Sequence, residues 1–239
     1  MRMDWIALVL GLLALALVVL LLYWQLIVAE GTYLGPRVVA LLYDWSAGIY
    51  ERIKQFDTGD EQWFLGLPLT LALEAVSTPL VLDVATGTGR LAQQRPGEPA
   101  FDGRVVGLDL SRRMLRQAVR QTAQFSDRLT YVWQDARCLP FDDDAFDAVT
   151  CLEALEFTPD PRATLAELVR VLRPGGVLLV TNRIGRDAKF LPGRAFPRDE
   201  FGRVLGEFPF TTAGAYVKRA RPTLPKVALK GLSLIHISE

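Results

Sequence analysis

At 239 residues the chain is long enough for one α/β domain of ordinary size with an appendage, and too short for two such domains. Its 27 basic and 27 acidic residues cancel, which excludes the broad basic surface of a nucleic-acid-binding domain. Two cysteines exclude a disulfide framework, and a single histidine, His236 near the C-terminus, leaves no Ser-His-Asp or Cys-His catalytic set.

Half of the residues are hydrophobic, and much of that excess lies between Trp5 and Ala29. This run, WIALVLGLLALALVVLLLYWQLIVA, carries no charge and can cross a hydrocarbon core of roughly 30 Å. It exceeds the roughly 7–15 apolar residues of a signal-peptide core. The expectation is an uncleaved, single-pass anchor over residues 1–30, with Trp5, Tyr23 and Trp24 at the interfaces. Flanking charge does not orient it, because Arg2 and the α-amino group face Arg37, Arg52 and Lys54 across the run.

From Tyr33 to Phe56, Val38, Leu41, Leu42, Trp45, Ile49, Ile53 and Phe56 recur every three or four residues, which predicts an amphipathic helix weakened at Gly48. Such a helix either packs on the domain edge, the reading preferred here, or lies on the membrane beside the anchor. After the turn Asp57-Thr58-Gly59-Asp60, EQWFLGLPLTLALEAV predicts a helix bent or restarted at Pro68 and ended by Ser77-Thr78-Pro79. Its Trp63, Phe64, Leu65, Leu69 and Leu73 read as core.

Pro79 to Arg90, PLVLDVATGTGR, is a buried strand, a turn with two glycines and a helix start whose N–H groups face a ligand. A carboxylate in a loop that cradles phosphates would repel them, so Asp83 points to a cationic or donor-rich ligand. Gly87 to Ala92 nevertheless also satisfies the dinucleotide fingerprint G-x-G-x-x-G/A, with Asp109 about 20 residues on. RVVGLDLS is a second strand ending in Asp109, which can accept from both hydroxyls of a ribose. Ser111 caps the helix RRMLRQAVRQTAQF, which leaves Asp109 to a ligand; Met114 and Leu115 read as core beneath it.

Leu129 to Gln134 alternates as a third strand, with Asp135-Ala136 at its end. Asp142, Asp143 and Asp144 read as a solvated turn, and without His or Cys partners no metal site is expected. Phe146-Asp147-Ala148-Val149 starts a fourth strand, which runs into Cys151 to Phe157 at the carboxyl edge where open parallel sheets bind ligands. Glu153 and Glu156 are the ionisable groups nearest that reaction zone, equally readable as exposed carboxylates. A helix from Pro161 to Leu172, the breaker Arg173-Pro174-Gly175-Gly176, the strand VLLVTN, a helix from Pro197 to Phe208 and an antiparallel pair, TTAGAYVKR and KVALKG, complete the order. The last residues, SLIHISE within 232–239, depart in composition from the chain before them and are set apart as a tail.

DVATGTG, the acidic strand tips Asp109 and Asp135, the run QDARCLPFDDDAFDAVTC and the turn RVLRPGGVLLV together resemble the class I S-adenosylmethionine-dependent methyltransferases. The resemblance covers about Tyr33 to Gly231; the chain departs from it in carrying Ala85 at the first of three glycine positions. It implies an α/β, Rossmann-like, doubly wound and mostly parallel seven-stranded sheet with an antiparallel edge strand. The core would be residues 79–231, with residues 31–78 forming N-terminal helices that serve as a lid or lie on the membrane. Within them LYDWSAGIYERI resembles the tyrosine- and aspartate-bearing helix that helps close the family's pocket.

The implied cofactor is S-adenosylmethionine, held by Asp83, Ala85, Thr86, Gly87 and Gly89, by Asp109 with Leu110 and Met114, by Asp135 and Ala136 at the adenine, and by Cys151 at its edge. Cys151 lacks the preceding proline of cytosine-modifying enzymes, and Thr150-Cys151-Leu152-Glu153 is not the Asn/Asp-Pro-Pro-aromatic signature. The acceptor is therefore expected to be small or lipid-soluble, such as a quinone ring or a lipid head group, and not nucleic acid. Methyl transfer needs a base only where the acceptor must lose a proton first; Glu153 and Glu156 are the candidates. The cofactor is charged and made in the cytoplasm, so the domain is expected on the cytoplasmic side of the membrane. A nicotinamide-dependent oxidoreductase and a non-catalytic membrane scaffold are the alternatives; acceptor identity and oligomeric state are not legible.

Overall fold

A computed structural model of the chain describes residues 5–50, 67–94, 103–185, 187–208, 210–217 and 231–237. Helix α1, Trp5–Tyr23, continues as a π-helical stretch through Val28, and none of the span Trp5–Val28 is buried in the protein. Apolar on every side and with no residue buried in the protein, α1 has the character of a membrane span. The chain leaves it through Glu30 (φ 49°) and Gly31 (φ 75°).

Helix α2, Pro36–Ser46, starts with proline where the missing N–H costs nothing, and it gives way to a turn around Gly48. The helix expected to run to Phe56 is interrupted at 47–49, around the Gly48 expected to weaken it, and Tyr50 is helical again; residues 51–66 lie outside the described ones. The described part of the next helix, α3, is Leu67–Ala72. Leu69 and Leu73 are buried against Val81, Leu91, Val105, Ala148 and Val177, so these two are core; Trp63, Phe64 and Leu65 fall outside the description.

The sheet carries β1 (Leu80–Val84), β2 (Arg104–Asp109), β3 (Leu129–Trp133), β4 (Phe146–Cys151) and β5 (Leu172–Asn182), parallel in the order β3-β2-β1-β4-β5. Strand order reverses between β1 and β4, where Asp83 is in register with Thr150 and Val84 with Cys151. That is the switch point at which doubly wound sheets leave a crevice. Helices α4 (Arg90–Gln94), α5 (Arg112–Gln121), α6 (Pro161–Arg170) and α7 (Arg198–Leu205) complete the layers. Asp160 caps α6, accepting from the N–H groups of Arg162 and Ala163 at 3.0 Å each.

Arg173 to Gly176, expected as a turn before the fifth strand, lies within β5 beside a register shift against β4. Asp143 is more than a solvated turn residue: Arg170 holds it at 2.8 Å and reaches the carbonyls of Leu139 and Phe141. Two further strands follow in the chain, β6 (Phe210–Val217) and β7 (Gly231–Ile237), the second drawn from the stretch set apart as a tail; Lys226 to Lys230 of the expected KVALKG strand lie outside the described residues.

Candidate active site

The carboxyl ends of β1, β2 and β4 and the residues just past β3 open on one cleft of about 830 Å³, counted out to its mouth. Ala85, Gly87, Asp109, Leu110, Asp135, Ala136, Cys151 and Glu153 lie on its wall. Asp83 and Thr86 line an adjoining chamber of about 380 Å³, which shares Ala85, Gly87, Tyr50, Leu152 and Glu153 with the cleft.

Three carboxylates stand at successive strand ends, each fixed differently. Asp83 is 3% exposed and accepts from the hydroxyls of Thr86 and Thr150 at 2.6 Å each. Burial raises its pKa, against those two hydroxyls and Arg90. Asp109 accepts from the N–H groups of Gly87 and Ser111, both at 2.8 Å, while burial pushes it up to about 6. Ser111 does cap α5, accepting from the Met114 N–H at 3.1 Å, but its own N–H occupies Asp109, which corrects the expectation of an uncommitted carboxylate. Each Asp109 oxygen still has a second lone pair for a hydroxyl donor. Burial alone would raise Asp135, yet the Arg137 guanidinium at 2.8 Å and backbone N–H at 3.0 Å hold it below the ordinary carboxylate range.

The facing wall is apolar: Pro36, Val39, Ala40 and Tyr43 from α2, and Leu152, Ala154, Phe157 and Pro159 after β4. Asp44 of α2 accepts from the Ser111 hydroxyl at 2.5 Å and the Arg113 N–H at 2.9 Å, which ties α2 across the start of α5. Gly89 and Met114 stand behind the wall. A Cβ on Gly89 (φ 81°) would lie 2.7 Å from the Tyr131 hydroxyl, and Met114 is fully buried on the inner side of α5. At Gly87 (φ 57°) a Cβ would meet nothing within 4 Å, and the space it leaves belongs to the cleft.

A family profile described as a methyltransferase domain matches residues 82–180. The demethylmenaquinone methyltransferase of Clavibacter sepedonicus is 36% identical over 146 residues, 61% of this chain and 58% of that protein, so the chain spans under two thirds of that relative. That of Porphyromonas gingivalis is 32% identical over 184 residues, 74% of each chain. It belongs to the class I S-adenosylmethionine-dependent methyltransferases. In fold, the methyltransferase superposes on the Haemonchus contortus phosphoethanolamine N-methyltransferase 2 in complex with S-adenosyl-L-methionine with a TM-score of 0.59 at 18% identity, over 74% of this chain and 53% of that one.

Glu153 lies on the cleft wall of the methyltransferase, its N–H donating to the Thr181 hydroxyl at 2.6 Å and its φ at 56°. Glu156 does not line the cleft. It is 1% exposed, not a surface carboxylate, and its carboxylate lies 3.1 Å from the Arg183 guanidinium. Arg183 also reaches Glu30 at 3.3 Å and sits 5.6 Å from the Phe157 ring, while the Tyr43 hydroxyl donates to Glu30 at 2.7 Å. Burial opposes the charge on Arg183, but the two carboxylates hold its pKa above the ordinary value. Burial first and then Glu30 push Tyr43 well up. Sequence reasoning passed over Glu30 and Arg183. Their only local signals are that Glu30 is the first charge after the apolar run and Arg183 the first after the fifth strand.

The loop after β1 carries strain at the family's first glycine position, where Ala85 has φ 57°. A left-handed non-glycine residue costs roughly 1–2 kcal/mol, of which glycine's greater unfolded-state freedom returns part. Ala85→Gly is therefore expected to stabilise the methyltransferase by about 1 kcal/mol, raising Tm by roughly 2–4 °C. A lowered Tm in detergent would show that the methyl packs more usefully than its backbone is strained.

Proposed function

We propose that the chain transfers a methyl group from S-adenosylmethionine to a quinone-type acceptor dissolved in the membrane that α1 spans. One observation carries this: Asp109 and Asp135 stand on one wall of a cleft whose facing wall is apolar, and Asp83, at the next strand end, lines the chamber that adjoins it. The polar wall fits the cofactor's donors. Asp109, oriented by Gly87 and Ser111, accepts from ribose hydroxyls. Asp135, with the Ala136 backbone beside it, takes the adenine edge while sharing its charge with Arg137. Asp83, buried with Thr86, attracts the cationic amino-acid end in the adjoining chamber, and the open space at Gly87 admits the ligand against the backbone. When bound, S-adenosylmethionine supplies an electrophilic sulfonium methyl. Glu153 is the wall group placed to receive a proton from the acceptor; Glu156, held by Arg183, is withdrawn from that role. The apolar wall suits a planar, lipid-soluble acceptor, and the relatives' names point to demethylated quinones.

In the same reading residues 1–30 anchor the domain and 79–231 form its catalytic core, on the cytoplasmic side, where the charged cofactor is made. An antiparallel edge beyond β5 completes a seven-stranded sheet, supported by the β5-β7-β6 pairing. Sealed vesicles test activity and sidedness together. Inside-out inner-membrane vesicles holding the full chain, a demethylated naphthoquinol and methyl-labelled S-adenosylmethionine should yield labelled methylated naphthoquinol, and right-side-out vesicles should not. Label transfer in right-side-out vesicles alone would reverse the topology. Tight cofactor binding with no transfer in either orientation would favour the scaffold reading.

A further inference from the structure

Three exposed positions of α2, Arg37, Leu41 and Trp45, stand four residues apart and draw one line down the helix, with Leu34 exposed before it and Ile49 exposed after it. Leu41 is 66% exposed and Trp45 83%, so the face expected to pack on the domain is not packed. The line contains no acid; Asp44, the one acidic residue of α2, is turned to the start of α5. The opposite face is cleft wall, through Val39, Ala40 and Tyr43. The helix therefore separates the cleft from whatever covers Trp45.

What covers it follows from how α2 is joined to α1. The span ends at Val28 and α2 starts at Pro36, and the joint between them is not slack. Trp24 stacks on Tyr33 at 5.3 Å; its indole N–H donates to the Phe190 carbonyl at 3.2 Å, and the Tyr33 hydroxyl donates to the Pro192 carbonyl at 2.8 Å. The end of the anchor is thus fastened to the domain, which keeps α2 beside the point where α1 leaves the bilayer. A helix face with an arginine at its head, then a leucine and a tryptophan, is the composition that an interfacial layer of lipid receives, the ring at head-group level and the cation beside phosphate.

We infer that α2 is seated by its outer face in the interface of the bilayer that α1 crosses, so that the cleft lies directly behind a lipid-covered helix. This rests on α1 spanning the membrane, as proposed above. A lipid-soluble acceptor then reaches the apolar wall from the bilayer along α2, without crossing water.

Spin labels on the full-length chain in phosphatidylethanolamine–phosphatidylglycerol vesicles test the seating without any activity readout. In a Cys138→Ser background, with Cys151 buried and unreactive, single variants Leu41→Cys, Trp45→Cys and Ile49→Cys carry the label. Leu13→Cys in α1 and Val119→Cys on α5 are controls. Collisions with oxygen should exceed those with a water-soluble nickel chelate at 41, 45 and 49, at a depth of roughly 5–10 Å. The ratio should invert at 119, and position 13 should lie deeper. Aqueous ratios at 41, 45 and 49 with position 13 immersed would overturn the inference and leave the anchor standing. An aqueous position 13 would overturn both, and dipolar broadening at 45 would show a second copy covering the stripe instead.

Discussion

Arg183→Met is expected to destabilise the protein by about 3–5 kcal/mol, because it takes a buried guanidinium away from a buried carboxylate. Glu156 is 1% exposed and Arg183 lies 3.1 Å from it, itself only 10% exposed, so neither charge is hydrated in the way that makes a surface pair worth little. Removing the guanidinium also leaves Glu30 with only the Tyr43 hydroxyl among these partners, and loosens the joint between α1 and the sheet. On a domain of this size the loss corresponds to a Tm lowered by roughly 6–20 °C in detergent at a fixed scan rate. The double variant Glu156→Gln/Arg183→Met should recover much of it, since an uncharged amide replaces the buried carboxylate. A single variant within about 2 °C of the parent would mean that water already reaches Glu156.

The second large effect is on ligand affinity. Asp109→Asn keeps the shape of the site and removes the charge from the carboxylate proposed to accept from the ribose, which should weaken S-adenosylmethionine binding by about 1.5–3 kcal/mol. Calorimetry would read that as roughly 10- to 150-fold in Kd. The pH dependence gives an independent check, because burial raises the Asp109 carboxyl to about 6 against the pull of the Gly87 and Ser111 N–H groups. In the ligand-free protein the stabilising form of this raised acid is the protonated one. Its contribution is complete below about 4 and is lost as pH rises through about 6. Binding has the opposite sign: ribose hydroxyls need the ionised acceptor, so affinity should hold above pH 6 and fall by up to about tenfold per unit below it. Asp109→Asn should flatten that slope. An unchanged slope would assign it to another group, with Asp83 and Asp135 the nearest candidates.

Strand ends and helix caps were legible in the sequence because their causes are local. Leu80 to Val84 and Arg104 to Asp109 are apolar runs ended by a glycine turn or a serine cap, and a parallel strand with an acid at its carboxyl end puts that acid at the sheet edge whatever else the chain does. Asp83, Asp109, Asp135, Ala85, Gly87 and Cys151 could therefore be named in advance, and the structure brings them to one cleft and its adjoining chamber. Ala85 could be placed in the loop but not given its backbone angle, because its left-handed conformation is imposed by β1 and α4 on either side. Tertiary structure alone decided the fate of Glu156. The sequence puts it among exposed carboxylates, whereas the close approach of the segments after β4 and β5 buries it on Arg183, a partner 27 residues away that no periodicity couples to it. It also decided which face of α2 is which. Spacing shows an apolar helix, but only the closure of Val39, Ala40 and Tyr43 over the cleft leaves Leu41 and Trp45 on the outside, because a helix can turn just one side to the sheet it covers.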